Sequence, residues 1–145
     1  VDIELNATIR DEVIALAHAA GKPVLVSLHD FQRTPTDDDL LRTIDAAKAH
    51  GADVVKIATT IGGTHGLERL LRILLDHRDL QLIIIGMGPG GAATRVLFPL
   101  LGSLVTYGFL NRPAAPGQLA LPDLVRELER YVPDFTARRR SGSGS

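Results

Sequence analysis

The run of consecutive apolar residues Leu82–Ile85 constrains the fold of this chain more than any other feature. A strand with one face in water alternates apolar and polar residues, whereas a strand that is buried on both faces does not. Strands of the second kind belong to parallel sheets whose faces are covered by helices. The sequence therefore predicts an α/β fold built around a parallel sheet.

Short β-branched runs and longer amphipathic segments alternate along the rest of the chain, which predicts five β/α units. Thr36 is the predicted N-cap of the second helix, because three aspartates follow it and the helix dipole stabilises acidic residues in the first turn. That helix is predicted to end at Gly51. The predicted strands are Val1–Leu5, Pro23–Leu28, Asp53–Ala58, Leu82–Ile85 and Leu104–Phe109. The other predicted helices cover about Thr8–Ala20, Leu67–Leu75, Ala92–Leu100 and Pro122–Tyr131.

Two architectures accommodate five parallel β/α units. An open, doubly wound sheet of five strands would be complete at 145 residues. A (β/α)8 barrel needs eight units and typically ~250 residues, so this chain would then supply its C-terminal part. Length alone favours the open sheet, and the motifs described below favour the barrel.

Composition excludes several classes of protein. The chain has no Cys, which rules out disulfide scaffolds, thiolate zinc sites and cysteine nucleophiles. Its 16 Lys and Arg residues balance 17 Asp and Glu residues, which argues against a nucleic-acid partner held by phosphate neutralisation. No apolar run approaches the ~20 residues of a membrane-spanning helix, and no signal peptide opens the chain. We therefore expect a cytoplasmic protein without membrane contact.

The two ends of the chain differ from the rest. Val1 is not an initiator methionine and stands inside a strand-like run, while residues 141–145 read SGSGS, the composition of a flexible linker. We therefore expect one domain over residues 1–137, followed by a disordered basic end and linker over residues 138–145.

The carboxyl ends of the predicted strands carry the residues that can support chemistry, because α/β active sites form there. These ends are residues 27–30, Lys56, residues 87–88 and residues 107–108. Lys56 lies in the apolar run VVKIA, where desolvation favours the neutral amine, and a neutral amine forms Schiff bases with carbonyls. A structural lysine that pairs with Asp2 or Glu4 fits the same spacing.

His29 ends the neighbouring predicted strand, where an imidazole can act as a general base near neutral pH. The position alone also fits a histidine that only hydrogen-bonds the following loop, and the nearby Lys56 favours the catalytic role. The remaining histidines share no metal-ligand spacing, so the sequence predicts no metal site and no cofactor. These histidines are His18, His50, His65 and His77.

The glycine-rich run GMGPGG, residues 86–91, follows a strand and precedes a helix, as a dinucleotide-binding fingerprint does. The match is weak, because Pro89 restricts the turn and no Asp or Glu lies between Gly91 and Asp123 to hold a ribose. The alternative interpretation is a loop whose glycines let a ligand or another backbone approach closely.

Two further polar groups lie near this loop. Arg95 is about one turn into the next helix, from which a guanidinium can bind a carboxylate bidentately, although a surface arginine also fits. Residues 111–118 form a long loop stiffened by Pro113 and Pro116, which suits a lid over a site. Gln118 is the last polar residue of that loop.

These segments together resemble the type I 3-dehydroquinate dehydratases, the Schiff-base lyases of the shikimate pathway and of aromatic amino acid biosynthesis. The resemblance runs in order along nearly the whole chain, and its most specific parts are HDFxxTP and GADxxKIA. The family fold is a (β/α)8 barrel, which implies that this chain covers about strands 4 to 8. The matching segments are VDIEL (1–5), SLHDFQRTP (27–35), GADVVKIA (51–58), MGPGGAATR (87–95), GSLVTYG (102–108) and APGQL (115–119).

The resemblance also implies a reaction and a set of roles. Lys56 would form an iminium with the C3 ketone of the small-molecule substrate 3-dehydroquinate. His29 would remove the C2 proton and then protonate the departing C1 hydroxyl, which yields 3-dehydroshikimate. Arg95 resembles the arginine that binds the substrate carboxylate, and Gln118 resembles the lid residue that hydrogen-bonds substrate. Met87 is expected among the substrate-binding residues as well.

This chain differs from the family pattern in two respects. Ala114 stands where family members commonly carry a lid serine, so we expect one lost hydroxyl contact and weaker binding. The family's glutamate that orients the histidine belongs to the units this chain lacks, which leaves Asp2 and Glu4 as possible supporting carboxylates. We expect a companion fragment or a second copy to complete the barrel, because exposed parallel edge strands are templates for pairing.

Two other functions fit the sequence less well. The first is a catalytically silent module of the same family that binds quinate-type ligands or a partner chain. Ala114 and the missing units favour it, whereas the retained lysine, histidine, arginine and glutamine oppose it. The second is another lysine-dependent aldolase or dehydratase on a barrel, which the HDF and APGQ segments disfavour.

Overall fold

The computed structural model describes residues 1–133, 135 and 136 and contains one sheet of four parallel strands. The strands are hydrogen-bonded in the order in which they occur along the chain. In their register, Glu4 pairs with Ser27, and Ser27 pairs with Lys56. The strands are β1 (Asp2–Glu4), β2 (Leu25–Asp30), β3 (Val54–Thr60) and β4 (Leu82–Met87).

The strand order decides between the two predicted architectures. A doubly wound sheet reverses its strand order at a switch point, whereas a barrel adds every strand on the same side of the last. The observed order β1-β2-β3-β4 contains no reversal. The doubly wound alternative is therefore wrong, and the sheet has the topology of an arc of a barrel.

Five helices lie in the described part of the chain. As predicted, Thr36 caps the second of them: its Oγ1 accepts a hydrogen bond from the Asp39 amide at 3.2 Å. The Thr36 hydroxyl and then the Arg42 guanidinium lower the pKa of Asp39. The helices are α1 (Arg10–Ala19), α2 (Asp37–Ala49), α3 (Thr64–Asp76), α4 (Gly91–Leu101) and α5 (Leu121–Tyr131).

The main hydrophobic core lies between the sheet and the helices. Alternate residues of the inner strands point into it, and Val26, Ile57 and Ile84 are each at most 2% exposed. Leu40 of α2 and Leu70 of α3 fill the same layer and are fully inaccessible. Because each such side chain stabilises the fold by about 1.5–3 kcal/mol, this face of the sheet supplies the dominant hydrophobic contribution.

The opposite face of the sheet combines a small apolar cluster with polar side chains. Tyr107 and Ala115, from the segment after α4, pack against the apolar cluster and shield it. In a closed barrel this face becomes the interior. The apolar cluster is Ala58, Ile83, Ile85 and Met87, and the polar residues that alternate onto the same face are Asp2, Glu4, Ser27, His29 and Lys56.

The predicted fifth strand, Leu104–Phe109, is wrong. The Leu104 amide donates to the Leu82 carbonyl at 2.9 Å, which begins the pairing, but no strand follows in the described residues. The Tyr107 carbonyl instead accepts a hydrogen bond from Arg95, and Phe109 exchanges backbone hydrogen bonds with the loop before α5. These competing partners occupy the backbone of this segment, so its pairing with β4 does not continue beyond Leu104.

The other predicted elements are present, with ends that differ from the prediction by three residues or fewer. No helix within residues 1–133, 135 and 136 is long and apolar enough to span a bilayer. The predicted basic end and linker, residues 138–145, fall outside the described part of the chain.

Asp53 connects three elements at the end of the sheet where the strands begin. Its Oδ2 accepts a hydrogen bond from the Val24 amide at 2.7 Å and lies 3.0 Å from Nε2 of His18 at the end of α1. The hydrogen bond from Val24, and then the contact with His18, lower the pKa of Asp53.

We expect Asp53→Asn to reduce the free energy of unfolding at neutral pH by about 1 kcal/mol, mainly through the weakened hydrogen bond to Val24. The ion pair adds little, because Asp53 is 47% exposed. A lowered carboxyl pKa stabilises the fold above the unfolded-state value, and this contribution is lost as the pH falls through the folded-state pKa. Urea unfolding as a function of pH should show the difference from wild type vanish in acid. The exposed control Asp45→Asn should show no such difference, and a pH-independent effect of Asp53→Asn would contradict the assignment.

Candidate active site

The parallel register places the candidate catalytic groups side by side on the interior face of the sheet. Ser27 of β2 pairs with Lys56 of β3, and His29 lies two residues beyond Ser27 on the same face. β1 joins the other side of β2, with Glu4 opposite Ser27. Adjacent strands are ~4.8 Å apart, so Lys56, His29 and the two β1 carboxylates fall within reach of one another.

Lys56 is 9% exposed, and its amine lies 3.0 Å from Oδ2 of Asp2. The sequence left two alternatives for this lysine, a nucleophile in an apolar strand or a structural ion pair. The structure contains the ion pair, and the paired amine also lines a cavity, so the nucleophilic role stays a prediction. Burial of an ammonium is costly unless an opposite charge compensates it, and Asp2 supplies that charge.

His29 contacts Glu4 through its ring nitrogen Nδ1 and the carboxylate Oε1. The same oxygen accepts a hydrogen bond from the buried Ser27 hydroxyl at 3.3 Å, which helps to fix the carboxylate. The ring of Phe31 stacks on the imidazole, with centroids 6.0 Å apart and 12° between the planes. Because Nδ1 is engaged, Nε2 is the nitrogen left for chemistry. The sequence had assigned no orienting carboxylate to His29, and Glu4 now occupies that position.

Arg95 is the most deeply buried charged residue near the site, at 3% exposure. Its Nε donates to the Gly117 carbonyl at 3.1 Å, and its Nη1 donates to the Tyr107 carbonyl at 3.2 Å. Burial lowers the pKa of the guanidinium. These two hydrogen bonds use two of the five N–H donors of the guanidinium. The side chain lines the same cavity as Lys56. The alternative of a surface arginine is therefore wrong.

The predicted lid loop, residues 111–118, folds back over the glycine-rich loop. The Gly88 amide donates to the Pro116 carbonyl at 3.1 Å, and a Cβ on Gly117, whose φ is +77°, would lie 2.4 Å from the Gly88 carbonyl oxygen. Within the lid, Oε1 of Gln118 accepts a hydrogen bond from the Ala114 amide at 2.8 Å. The backbone of the lid thus approaches GMGPGG closely, and the glycine that permits it is Gly117 of the lid, outside that run.

These groups enclose a cavity of about 180 Å³. All six residues predicted as catalytic or substrate-binding line it, while Asp2 and Glu4 stand at its β1 side and are 44% and 50% exposed. Tyr107 was predicted to lie at the end of a strand, without a catalytic or substrate-binding role. The lining residues are His29, Lys56, Ala58, Ile85, Met87, Arg95, Tyr107, Ala114, Ala115 and Gln118.

A larger groove, of about 620 Å³, lies outside this site. It runs between the C-terminal end of α4, residues 103–106 and α5, and its walls include Leu104, Val105 and Leu128. Nothing in it resembles the polar convergence around Lys56. Across residues 1–133, 135 and 136, no group of three His, Asp or Glu side chains is close enough to hold a metal ion.

The arrangement provides an amine beside a carboxylate, an imidazole beside a second carboxylate, and a buried guanidinium across the cavity. An amine can add to a carbonyl, an imidazole can move protons, and a guanidinium can bind an anionic group. A keto acid of small size fits these three functions together.

Comparison with known proteins gives a consistent result. Residues 1–131 match the family described as type I 3-dehydroquinase. The chain is 44% identical over 138 residues to a 3-dehydroquinate dehydratase of Methanothrix thermoacetophila. The aligned region covers 95% of this chain and 57% of the relative. A 3-dehydroquinate dehydratase of Methanosarcina barkeri is 41% identical over 89% of this chain and 56% of its own length.

Solved structures agree with the sequence matches. The 3-dehydroquinate dehydratase of Geobacillus kaustophilus superposes with a TM-score of 0.82 at 31% identity, over 90% of this chain and 52% of that protein. The type I enzyme of Clostridium difficile, solved with covalently modified comenic acid, gives a TM-score of 0.77 at 28% identity over 89% and 53% of the two chains. These neighbours are (β/α)8 barrels, and this chain spans about half their length.

Proposed function

This chain belongs to the type I 3-dehydroquinase family, and on that premise we propose that its cavity carries out the dehydration of 3-dehydroquinate to 3-dehydroshikimate. The observation that carries the proposal is the convergence of Lys56, His29 and Arg95 on one small cavity. A convergence of amine, imidazole and guanidinium suits a keto acid substrate and a lyase reaction through a Schiff base.

Lys56 is the proposed nucleophile. Its ammonium first passes a proton to Asp2, whose Oδ2 is 3.0 Å from Nζ, and the freed lone pair attacks the C3 ketone. The protonated Asp2 carboxyl then returns that proton to the carbinolamine hydroxyl, which leaves as water, and the resulting iminium acts as an electron sink for the neighbouring carbon. Asp2 thus holds the amine before the reaction and takes up its proton as the reaction begins.

His29 is the proposed general base and acid. With Nδ1 held by Glu4, Nε2 removes the C2 proton, and the electron pair moves into the iminium to give an enamine. The enamine expels the C1 hydroxyl, which takes the proton from His29 and leaves as water. Hydrolysis of the product imine then regenerates Lys56 and releases 3-dehydroshikimate, so one water is lost overall.

The remaining cavity residues are proposed to bind the substrate. Arg95 supports this role because two of its N–H groups are held by backbone carbonyls while the others are free to bind a carboxylate. Gln118 has its amide oxygen engaged by Ala114, which leaves its NH₂ group to donate to a substrate oxygen. Met87 supplies an apolar wall at 1% exposure.

We further propose that residues 1–137 form the C-terminal part of a barrel that a companion supplying the remaining β/α units completes. Both edges of the sheet support this. Within the described residues β1 pairs only with β2, and no strand pairs with the outer side of β4. The described residues supply four strands, whereas the family's barrel has eight, so a companion fragment or a second copy of this chain can supply the rest.

Borohydride reduction in the presence of 3-dehydroquinate tests the proposed nucleophile. We expect one stable adduct per chain, located on Lys56 by peptide mapping, because reduction converts the imine to a secondary amine that cannot hydrolyse. Lys56→Ala should give no adduct, whereas Lys48→Ala, which alters an exposed lysine of α2, should be labelled like wild type. Folded protein without an adduct on Lys56 would overturn the proposal and favour the silent module.

Light scattering tests the open edges. We expect the isolated chain, of 15.6 kDa, to self-associate, since unpaired parallel edges beside an apolar groove are templates for pairing. Val105→Lys, at a half-exposed position of the open segment, should shift the population toward the monomer. Leu16→Lys, at an exposed position of α1, is the matched control and should not. A wild-type chain that stays monomeric at all concentrations would contradict the expectation that its open edges pair.

A further inference from the structure

The amine of Lys56 has a second neighbour besides Asp2. The ring of Tyr107 faces it, with Nζ 5.1 Å from the ring centroid, which is within the range of a cation–π contact. The other charged or titratable groups around the amine are the Asp2 carboxylate and, along the cavity wall, His29 and Arg95. Lys56 therefore lies between a carboxylate on one side and an aromatic face on the other.

Tyr107 is itself held in place from two directions. Its carbonyl accepts the hydrogen bond from the buried Arg95, and its ring packs against the apolar cluster that contains Ala58 and Ile85. A backbone anchor and a packed ring restrict the side chain to few rotamers. The ring is therefore a fixed surface for the flexible lysine side chain, which has four rotatable bonds.

We infer that Tyr107 is a positioning residue for Lys56, and that its ring face, not its hydroxyl, directs the amine into the cavity. The inference rests on the proposed function for its catalytic consequence, but the contact itself is independent of any substrate. Two arguments favour the ring. The ring centroid faces the amine, and cation–π attraction requires only the π face. Arg95 thereby gains an indirect role, since it fixes the segment that presents the ring.

A second aromatic pair in the chain offers an internal comparison. Arg130 lies 5.9 Å from the ring centroid of Tyr131, and that tyrosine is 58% exposed on the surface. Contacts of this kind contribute little in water, whereas the Lys56 side chain is only 11% exposed. Substitutions at Tyr131 therefore match those at Tyr107 chemically and should leave the cavity unaffected.

The test uses two rates measured on the same variants by peptide mapping. The first is reductive methylation of Lys56 by formaldehyde, relative to Lys22 and Lys48, which are the other lysines of the chain. The second is borohydride-trapped adduct formation with 3-dehydroquinate. For Tyr107→Leu we expect the rate of Lys56 methylation to rise by about three- to tenfold. The rate of adduct formation at saturating 3-dehydroquinate should fall by a similar factor. The 3-dehydroquinate concentration that gives half the maximal rate of adduct formation should be unchanged.

The controls separate the ring from general effects on folding. Tyr107→Phe should leave both rates within about twofold of wild type, as should Tyr131→Leu. A series of mono-, di- and trifluorinated phenylalanine at position 107 weakens the π face at nearly constant shape, so methylation of Lys56 should rise stepwise even if Tyr107→Leu fails to fold. The inference would be overturned if the methylation rate of Lys56 did not change along the fluorinated series. It would also be overturned if Tyr107→Phe reduced the rate of adduct formation as much as Tyr107→Leu does. Failure of wild type to form the adduct would overturn the proposed function, while the methylation series would still decide the role of Tyr107.

Discussion

Parallel pairing of β1, β2 and β3 in a single register is the constraint on which the candidate site depends. Side chains two residues apart along a strand share a face, so this register alone brings Glu4, Ser27 and Lys56 into one row. His29 follows one step further along β2. A slip of one residue in any of these pairings would turn the side chains of that strand into the helix-covered core. Fold and chemistry are therefore coupled through the sheet, while α4 and the segments after it add Arg95, Tyr107 and the lid.

The site contains two charged side chains, one from β3 and one from α4, whose burial carries a large desolvation cost. Lys56 and Arg95 are 9% and 3% exposed, and an uncompensated charge at such depth would cost several kcal/mol. Asp2 compensates the lysine, and two backbone carbonyls satisfy part of the guanidinium. The large apolar core on the opposite face offsets what remains. Both β1 carboxylates are about half exposed, so the site is most open at the edge where the remaining barrel units are proposed to join.

Local sequence signals identified most of the fold. The apolar run of β4 indicated a parallel sheet, and Thr36 indicated the start of α2, because burial and capping act over a few residues. The fifth strand was predicted wrongly, since the pattern of Leu104–Phe109 does not reveal that Arg95 competes for its backbone. The residues around the cavity were predicted from strand ends and from family motifs. Glu4 was expected only as a possible supporting carboxylate. Its pairing with His29, and the ring of Tyr107 above Lys56, could not be predicted, because they depend on which strands are adjacent and on a long-range contact.

The proposed mechanism requires a histidine whose Nδ1 is held by Glu4, so that Nε2 is available as the base. Long-range nitrogen–proton NMR correlations of the imidazole test this most directly, under conditions where the ring is neutral. His29 should carry its proton on Nδ1, and Glu4→Ala should shift the population toward the tautomer protonated on Nε2. A wild-type ring protonated on Nε2, or a tautomer ratio unaffected by Glu4→Ala, would contradict it.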